Sequence, residues 1–323
     1  MESLLSIENL EVSFHTSQGV AQAVCGVSYD IGRGEVLGVV GESGSGKSIT
    51  ALSVLRLVPY PGRISAGCIN YEGRDLLSIP EKQMRKVRGD RISMIFQEPM
   101  ISLNPAFTIE NQLTEALHNH RKMSQKEARE RAIEMLAMVD IPDPAKRIKD
   151  YPHHLSGGMR QRVMIAEALL LDPDVLLADE PTTALDVTVQ AQVLDLMHRL
   201  NERIGTAIML ITHNLGVVAE SAKRVVVMYC GRVVEQGPVE AIFNRAAHPY
   251  TQGLLRSVPR PGADQGGRQE LYEMPGIVPS LFHLPSGCAF HPRCSAARPQ
   301  CREVQPPIRQ LEAGHDTACW LYE

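Results

Sequence analysis

The segment GESGSGKS, Gly41–Ser48, decides the fold class of this chain. It fits the pattern G-x-x-x-x-G-K-[ST] and follows an apolar run, Val36–Val40, while the sequence ITALSVLRL after it is typical of a helix. A glycine-rich loop between a buried strand and a helix arranges backbone N–H groups around a phosphate chain. The candidate phosphate contacts are Gly41, Glu42, Ser43, Gly44, Ser45, Gly46, Lys47, Ser48 and Ile49.

Lys47 and Ser48 carry the chemistry of this loop. In this pattern the lysine ammonium faces the β- and γ-phosphates of a nucleotide, and the hydroxyl that follows it faces Mg²⁺. A glycine-rich turn without a ligand is the alternative interpretation. The strand before the loop and the helix after it favour the phosphate site, because the motif requires that context.

Three further apolar runs have the length of strands that are buried on both faces. Between them apolar residues recur at helical spacing, as over residues 187–203, and a capping-box sequence at Ser124–Glu127 opens another helix. Strands that alternate with helices indicate an α/β domain with a mostly parallel sheet. The three runs are Val175–Ala178, Ala207–Ile211 and Val225–Met228.

Two carboxylates, Asp179 and Glu180, end the second of these strands. The carboxyl end of a parallel strand is the edge at which open α/β sheets bind ligands. Asp179 is therefore the candidate to hold Mg²⁺, and Glu180 the candidate general base that polarises the attacking water. An acidic pair at the start of a helix is the alternative, which the phosphate loop makes the weaker one.

The segment LSGGMRQR, residues 155–162, places two glycines directly before a predicted helix. Glycine costs chain entropy there, which suggests that something approaches the backbone too closely for a side chain. A serine N-cap followed by a glycine-rich turn explains the start of the helix equally well.

Composition limits the class of protein. The 323 residues carry 33 basic and 37 acidic side chains, a formal net charge of −4, so no basic excess predicts a nucleic-acid partner. No apolar run approaches the roughly 20 residues that cross a bilayer. Because the N-terminal sequence has acids and no basic segment, we expect the chain to be made in the cytoplasm and to stay there.

The last part of the sequence has a different character. From about residue 257 a linker sequence, SVPRPGADQGG, leads into a region rich in Pro, Cys and Arg. Its cysteines are spaced as Cys288-x5-Cys294-x6-Cys301-x17-Cys319, which is not the spacing of a zinc ribbon. Four thiolates could bind Zn²⁺, bind a [4Fe–4S] cluster, or remain reduced structural thiols. His291 and His315 are possible alternative ligands, but we expect both to be ordinary surface histidines.

Taken together, these motifs resemble those of the nucleotide-binding subunit of an ABC transporter. Gly41–Ser48 resembles Walker A, Val175–Glu180 resembles Walker B, and Leu155–Gln161 resembles the ABC signature. The motifs occur in the family's order and span about 230 residues. Further residues match the Q-loop, the D-loop, the switch histidine and the aromatic residue that stacks on adenine; they are Gln97, Asp186, His213 and Phe14.

The resemblance implies a P-loop NTPase fold, with a RecA-like core, an antiparallel β subdomain and a helical subdomain. It implies a nucleotide-binding domain over 1–256, with the helical subdomain at about 98–165, and a linker with a small cysteine-rich extension over 257–323. In such proteins ATP is held between two subunits. The residues that the resemblance assigns to the opposite subunit's nucleotide are Ser156, Gly157, Gly158 and Gln161, and those it assigns to Mg²⁺ are Ser48, Gln97 and Asp179.

Several segments resemble the peptide and nickel importers within this family: QEPMISLNP (97–105), YPHHLSGGMRQRVMIAEALL (151–170), HPYTQGLLRSVP (248–259) and the tail from residue 275 to 301. This branch implies an ATPase of a dipeptide or oligopeptide permease at the cytoplasmic face of the bacterial inner membrane. Its partners would be a second, paralogous ATPase subunit, two membrane permeases and an extracytoplasmic binding protein. Dipeptide permease ATPases of this type carry a [4Fe–4S] cluster, which favours that ligand over Zn²⁺ for the four cysteines.

Three alternatives remain open from the sequence. The same machinery could import nickel or another small solute such as glutathione. A non-transport ABC ATPase acting on nucleic acid or ribosomes is less favoured, because the chain has a single phosphate loop and no basic excess. An iron–sulfur sensor is also less favoured, because Asp179, Glu180 and His213 together indicate hydrolysis.

Overall fold

The computed structural model describes residues 3–97, 102–183, 186–258 and 272–322. Parts of four predicted features lie outside these ranges: residues 98–101 after the Q-loop glutamine, 184–185 of the D-loop, 259–271 of the linker, and the first two residues of the N-terminal sequence. The described residues form two compact units. One, here called the signature unit, contains Gly32–Glu35 and Ser78–Ile211, and the other, the phosphate-loop unit, contains Ser3–Ile31, Val36–Leu77 and Thr212–Glu323.

The strands follow one another along the chain as β1 (Ser3–Thr16), β2 (Gly19–Gly32), β3 (Val36–Val40), β4 (Gly62–Tyr71), β5 (Arg74–Asp75), β6 (Ile92–Ile95), β7 (Val175–Asp179), β8 (Ala207–Ile211), β9 (Arg224–Tyr229), β10 (Arg232–Pro238), β11 (Arg309–Glu312) and β12 (His315–Thr317). The four predicted apolar strands are therefore confirmed, as β3, β7, β8 and β9.

The α-helices are α1 (Lys47–Val54), α2 (Glu81–Val87), α3 (Ile109–His120), α4 (Gln125–Met138), α5 (Pro144–Arg147), α6 (Gly157–Leu169), α7 (Val187–Ile204), α8 (Leu215–Ser221), α9 (Val239–Arg245), α10 (Pro249–Arg256) and α11 (Gln300–Glu303). The predicted capping box is present at the start of α4, where Ser124 and Glu127 each bond the other's backbone N–H. The predicted helix over 187–203 is α7.

The signature unit contains the parallel strands β8, β7 and β6, in that order. Every residue of β7 and β8 is buried, which explains why their sequences are apolar without alternation. The same unit carries the helices α2 to α7. Its core is dense along α6, where Val163, Ile165 and Ala166 are at most 1% exposed.

The phosphate-loop unit contains a four-stranded sheet of order β2-β1-β4-β5, in which β4 pairs antiparallel with β1 and with β5. In this unit β3 also pairs parallel with β9, and β9 pairs antiparallel with β10. β3 is buried along its whole length and leads directly into the phosphate loop. The P-loop α/β fold is confirmed, with a sheet that is mixed rather than wholly parallel.

The C-terminal region adds strands to the phosphate-loop unit that the sequence did not predict. β12 pairs antiparallel with β10, and β11 pairs with β12. The expectation that His315 is a surface histidine is wrong: the residue is 2% exposed, and its Nε2 lies 2.8 Å from Oε1 of Glu235. The same side chain also accepts the backbone N–H groups of Ala247 and His248, so both oxygens of this buried polar group have partners.

No helix in the described part of the chain is both long and apolar enough to span a lipid bilayer. The boundaries of the predicted domain and extension, at 256 and 257, stay a prediction.

Candidate functional site

The phosphate loop has backbone positions that only glycine can occupy. Gly46 has φ +99° and immediately precedes α1, and a Cβ on it would lie 2.6 Å from the carbonyl oxygen of Ala23. Gly41 has φ +152°, and a Cβ there would overlap the carbonyl oxygen of Met228. The N-cap of α1 is Gly46, which has no side chain to cap the helix, and the N-terminus of a helix favours a bound anion.

Lys47 closes the loop on itself. The side chain is only 6% exposed, and its Nζ donates to the carbonyl oxygens of Gly41 at 2.8 Å and Glu42 at 3.0 Å and to Oγ of Ser45 at 3.2 Å. An ammonium group held over a ring of backbone dipoles is a ready partner for an oxyanion. The residues of the phosphate loop therefore fit the phosphates of a nucleoside triphosphate.

Two more predicted residues lie in the phosphate-loop unit. Phe14 lies opposite Gly62 on β4, and a Cβ on that glycine would come within 2.7 Å of Cε1 of the ring, so the missing side chain makes room for the aromatic. His213 is exposed directly before Asn214, whose side chain caps α8. A role for either residue in nucleotide binding stays a prediction.

In the signature unit the structure brings Gln97 and Glu180 together. Oε2 of Glu180 accepts from Nε2 of Gln97 at 3.2 Å and from Oγ1 of Thr183 at 2.8 Å. Glu180 also has φ +46°, a left-handed conformation that is uncommon for glutamate. Such backbone strain is characteristic of functional sites. Asp179, one residue earlier, is 4% exposed at the end of β7.

The two glycines of the signature differ in their surroundings. Among the described residues, a Cβ on Gly157 would meet nothing within 4 Å, whereas one on Gly158 would lie 3.1 Å from Cγ1 of Val189. Packing within the chain therefore explains Gly158 but not Gly157. Ser156 caps α6 by accepting the N–H of Met159 at 3.3 Å. The capping role that the sequence suggested is present. Contacts among the described residues do not explain the glycine at position 157.

Gln161 and Asp186 both make contacts inside the chain. Gln161 is 1% exposed, and its Nε2 donates to the carbonyl oxygen of Pro181. Asp186 is the N-cap of α7 and accepts the N–H of Val189 at 2.9 Å. Direct contact of either side chain with a nucleotide stays a prediction, because these structural roles already account for both residues.

A half-buried acid on α6 escaped the sequence analysis. Glu167 lines a cleft of about 260 Å³ beside Phe96, His120 and Met164. Burial, and to a lesser extent the charge of Glu115, raises the pKa of Glu167 to about 7. No pattern in the sequence distinguishes this glutamate from the solvated acids that are common on helices.

We expect Glu167→Gln to stabilise the protein at pH 8. Between the ordinary pKa of 4.5 and about 7 the unfolded chain ionises this carboxyl while the folded chain keeps it neutral. Folding stability therefore falls as the pH rises through this range and does not recover above it. The glutamine should raise the free energy of unfolding by roughly 2–3 kcal/mol at pH 8, at about 1.4 kcal/mol per unit of pKa, and by little at pH 4.5.

Urea unfolding at the two pH values measures this effect. The matched control is Glu220→Gln on α8, an exposed position that should change stability by less than about 0.5 kcal/mol at either pH. A gain that is equal at both pH values would contradict the assignment, since it would come from packing and not from ionisation.

The four C-terminal cysteines line one apolar pocket together with Phe290 and Trp320. All four thiols are half-buried and free. Burial raises the pKa of Cys288 to about 11 and raises the pKa of Cys294 and Cys319. The backbone N–H of Arg298 donates to Sγ of Cys301 at 3.4 Å.

Within the described ranges, no three or more His, Cys, Asp or Glu side chains lie close enough together to hold one metal ion. A tetrahedral zinc site would hold four donors at about 2.0–2.3 Å from a single ion. The pocket does not have that geometry. The four thiols line a small apolar pocket of about 10 Å³.

Two protein families match the chain. Residues 24–183 match the family described as ABC transporter, and residues 234–301 match the C-terminal region of oligopeptide/dipeptide transporters. The first match covers the phosphate loop, the signature and the two carboxylates after β7. The second covers β10 and the pocket cysteines up to Cys301.

Curated relatives align over nearly the whole chain. The Bacillus subtilis oligopeptide transport ATP-binding protein AppD is 51% identical over 100% of this chain and 98% of its own. The Escherichia coli dipeptide transport ATP-binding protein DppD is 46% identical over 98% and 96%. Among solved structures, the dimeric post-hydrolysis state of the ATP-binding cassette MJ0796 bound to ADP and Pi superposes with a TM-score of 0.65, at 28% identity, over 73% of this chain and 98% of that one.

Proposed function

Because this chain belongs to the ABC transporter family of ATP-binding proteins, we propose that it hydrolyses ATP to drive peptide import through a membrane permease. The observation that carries the proposal is the phosphate loop, in which Lys47 and the start of α1 form an anion site on backbone that requires glycine. Relatives named for dipeptide and oligopeptide transport, and the match over residues 234–301, support peptide as the cargo.

Binding of MgATP falls to the phosphate-loop unit. We assign the β- and γ-phosphates to Lys47 and the backbone N–H groups of the loop, and the adenine ring to Phe14. The Ser48 hydroxyl is assigned to Mg²⁺, which supplies charge neutralisation of the phosphates when bound. His213 is assigned to the γ-phosphate.

Hydrolysis falls to the residues around the end of β7. Asp179 and Gln97 supply the oxygen donors that Mg²⁺ prefers, and Glu180 accepts a proton from the attacking water. The hydrogen bonds from Gln97 and Thr183 to Glu180 hold that carboxylate in one orientation. A fixed acceptor lowers the reorganisation that the water would otherwise require.

We propose that a second, paralogous ATPase subunit completes each nucleotide site. The signature residues Ser156, Gly157 and Gly158 of one subunit would contact the terminal phosphate held by the other. The open space beside Gly157 supports this assignment, because nothing in the described chain uses it. Closure on ATP and release after hydrolysis would then move two attached permeases at the cytoplasmic face of the inner membrane, with an extracytoplasmic binding protein delivering the peptide.

Reconstitution tests the proposal. The chain should be co-purified with its membrane partners, placed in liposomes with the binding protein, and assayed for phosphate release and uptake of radiolabelled di- and oligopeptides. Peptide should stimulate hydrolysis and be taken up only with MgATP. If nickel or glutathione stimulates hydrolysis and peptide does not, the transported solute is not a peptide. If no transport partner changes the rate of hydrolysis, a non-transport ATPase is favoured.

We also propose that the cysteine pocket of the C-terminal region, 257–323, binds a [4Fe–4S] cluster. The support is the convergence of four thiols on one apolar pocket and the N–H donor on Cys301. Zinc is the weaker candidate, because the pocket lacks a single-ion geometry. When bound, a cluster would supply a cross-link between segments that are distant in the sequence.

Cys301→Ser should abolish iron loading, because a cluster of this type needs four thiolates. The protein should be purified without oxygen, then analysed for iron and sulfide and for visible absorption. The expected result is four irons per native chain and less than about one in the variant. Cys230→Ser is the matched control, since that buried thiol lies away from the pocket lining. A full iron content in the Cys301 variant would contradict the ligand set, and zinc in the native protein would replace the cluster.

A further inference from the structure

Arg293, in the cysteine-bearing segment, is a buried arginine that the sequence analysis did not single out. Its side chain is 4% exposed, and it follows Phe290 in the short turn between Cys288 and Cys294. Nη1 donates to Oε2 of Glu42 at 2.7 Å, and Nη2 donates to Oε1 of the same carboxylate at 3.0 Å. This is a bidentate ion pair across 251 positions of sequence, the geometry in which arginine binds carboxylate most strongly.

The rest of the guanidinium is also bonded. Nε of Arg293 donates to the carbonyl oxygen of Pro275 at 3.1 Å, and Nη1 approaches the hydroxyl of Tyr229 at 3.3 Å. All three nitrogens therefore have partners, so the side chain has one conformation. The pairing with Glu42 raises the pKa of Arg293 further above its already high value, and the arginine stays charged at every physiological pH.

Glu42 connects this arginine to the phosphate loop. It is the second residue of GESGSGKS, and its carbonyl oxygen accepts from Nζ of Lys47 at 3.0 Å and from the N–H of Ser45 at 3.2 Å. Its own N–H donates to the hydroxyl of Tyr250 at 2.8 Å. Both the side chain and the backbone of Glu42 are thus fixed from outside the loop, and the lysine is fixed through it.

The Glu42 carboxylate raises an electrostatic problem that Arg293 solves. A carboxylate inside a loop that binds a polyanion repels its ligand, and the effect is large at the short distances of a phosphate loop. Arg293 neutralises that charge with a buried guanidinium, and the two hydrogen bonds hold the carboxylate in one orientation. Loss of the arginine would leave a negative side chain, 28% exposed in the native contact, beside the phosphates.

The wall of the cysteine pocket continues into the same contact. Phe290 lines the pocket and packs against the rings of Tyr229 at 5.3 Å and Tyr250 at 5.4 Å. His248 lines the pocket as well, and its Nδ1 accepts the N–H of Tyr250 at 3.0 Å. A change in the pocket therefore acts on the residues that hold Glu42.

We propose that Arg293 is a positioning residue for the phosphate loop, through which the C-terminal cysteine segment sets the affinity of the chain for MgATP. The proposal rests on the proposed ATP-binding function. In this proposal the C-terminal segment affects nucleotide binding through the contact between Arg293 and Glu42, which both belong to the phosphate-loop unit.

The test is a double-mutant cycle on MgATP affinity, measured by calorimetry on the full chain. Arg293→Ala should raise the Kd for MgATP about tenfold, equivalent to about 1.4 kcal/mol. The negative charge of Glu42 is then no longer compensated, and its side chain is no longer held in place. Adding Glu42→Gln should bring the Kd back to within about threefold of the native value, since the repulsion is then gone. In the assembled transporter at saturating ATP, Arg293→Ala should change kcat by less than about twofold while raising KM.

Arg298→Ala is the matched control, because this arginine of the same segment is exposed and its side chain donates to the carbonyl oxygen of Trp320, away from Glu42. Its Kd should equal the native value. If Arg293→Ala fails to fold, Arg293→Lys replaces it; lysine keeps the charge without the bidentate contact and should raise the Kd about threefold. Thermal unfolding of each variant is measured in parallel.

A folded Arg293 variant with native affinity would overturn the proposal, as would a weakened variant that Glu42→Gln does not rescue. In the second case the arginine would be merely structural. A native chain that binds MgATP no better than Lys47→Ala would instead refute the proposed ATP-binding function, so the two failures are distinguishable.

Discussion

Glu180→Gln should bind MgATP as tightly as the native chain and hydrolyse it at least about 100-fold more slowly. General-base catalysis contributes about 10²–10⁴ to a rate, and the amide cannot accept the proton of the attacking water. The loss corresponds to at least about 2.7 kcal/mol of transition-state stabilisation.

The local structure should survive this substitution. An amide has the shape of the carboxylate, and its remaining oxygen can accept the Thr183 hydroxyl that lies 2.8 Å from Oε2. The left-handed backbone at φ +46° is set by the chain on either side and by the N–H of Glu180, which donates to the carbonyl oxygen of Ile211 at 2.9 Å. Positioning therefore remains while the base is removed.

Phosphate release by the assembled transporter and MgATP binding by the isolated chain measure the two parts of this expectation. Thr183→Ala is an intermediate variant, because it removes one of the hydrogen bonds that orient Glu180. It should slow hydrolysis by less than about tenfold. Exposed Glu220→Gln is the neutral control. Turnover at the native rate in Glu180→Gln would mean that another group is the general base. Loss of ATP binding would show that Glu180 is needed for the fold of the site.

Local sequence patterns were sufficient for the parts of this chain that local forces build. The four apolar runs became β3, β7, β8 and β9, because a strand buried on both faces must be apolar along its length. The Ser124–Glu127 capping box formed because both of its hydrogen bonds lie within one helical turn. The identity of the phosphate loop followed from its spacing and from its position between a strand and a helix.

The features that escaped prediction depend on pairs distant in the sequence. The ion pair of Arg293 with Glu42 spans 251 positions, and the hydrogen bond between His315 and Glu235 spans 80. β11 and β12 are short and polar, and they form only because β10 offers an edge. Neither periodicity nor propensity carries information about such partners, because the stabilising contact does not exist until the chain has folded.

The second large effect is expected at the signature. Gly157→Asp should stop hydrolysis by the assembled transporter, by at least about 100-fold, while the isolated chain keeps its affinity for MgATP. In the proposed assembly a carboxylate at this position faces the terminal phosphate held by the partner subunit, where it adds a like charge and keeps the phosphate away from the backbone N–H donors. Loss of contact with one donor of this type costs about 10²–10³ in rate, and repulsion adds to the loss.

The chain itself should tolerate the change. A Cβ at position 157 meets no atom of the described part of the chain within 4 Å. The residue is also the first of α6, where the helix dipole favours a negative side chain. The stability of the isolated chain should therefore change by less than about 1 kcal/mol. The matched control is Gly158→Ala, whose Cβ would press on Val189 at 3.1 Å; it should lower stability by about 1 kcal/mol and introduce no charge.

Three measurements on each variant separate the possible causes: MgATP affinity and unfolding of the isolated chain, and phosphate release by the complex. The chain's own phosphate loop, Gly41–Ser48, is unchanged in Gly157→Asp, so affinity and stability should be native while hydrolysis is lost. Hydrolysis at the native rate would mean that no partner phosphate comes near Gly157, and the proposal that two subunits share each nucleotide would fail. A parallel loss of stability would instead assign the glycine to the fold of α6, contrary to the open space beside it.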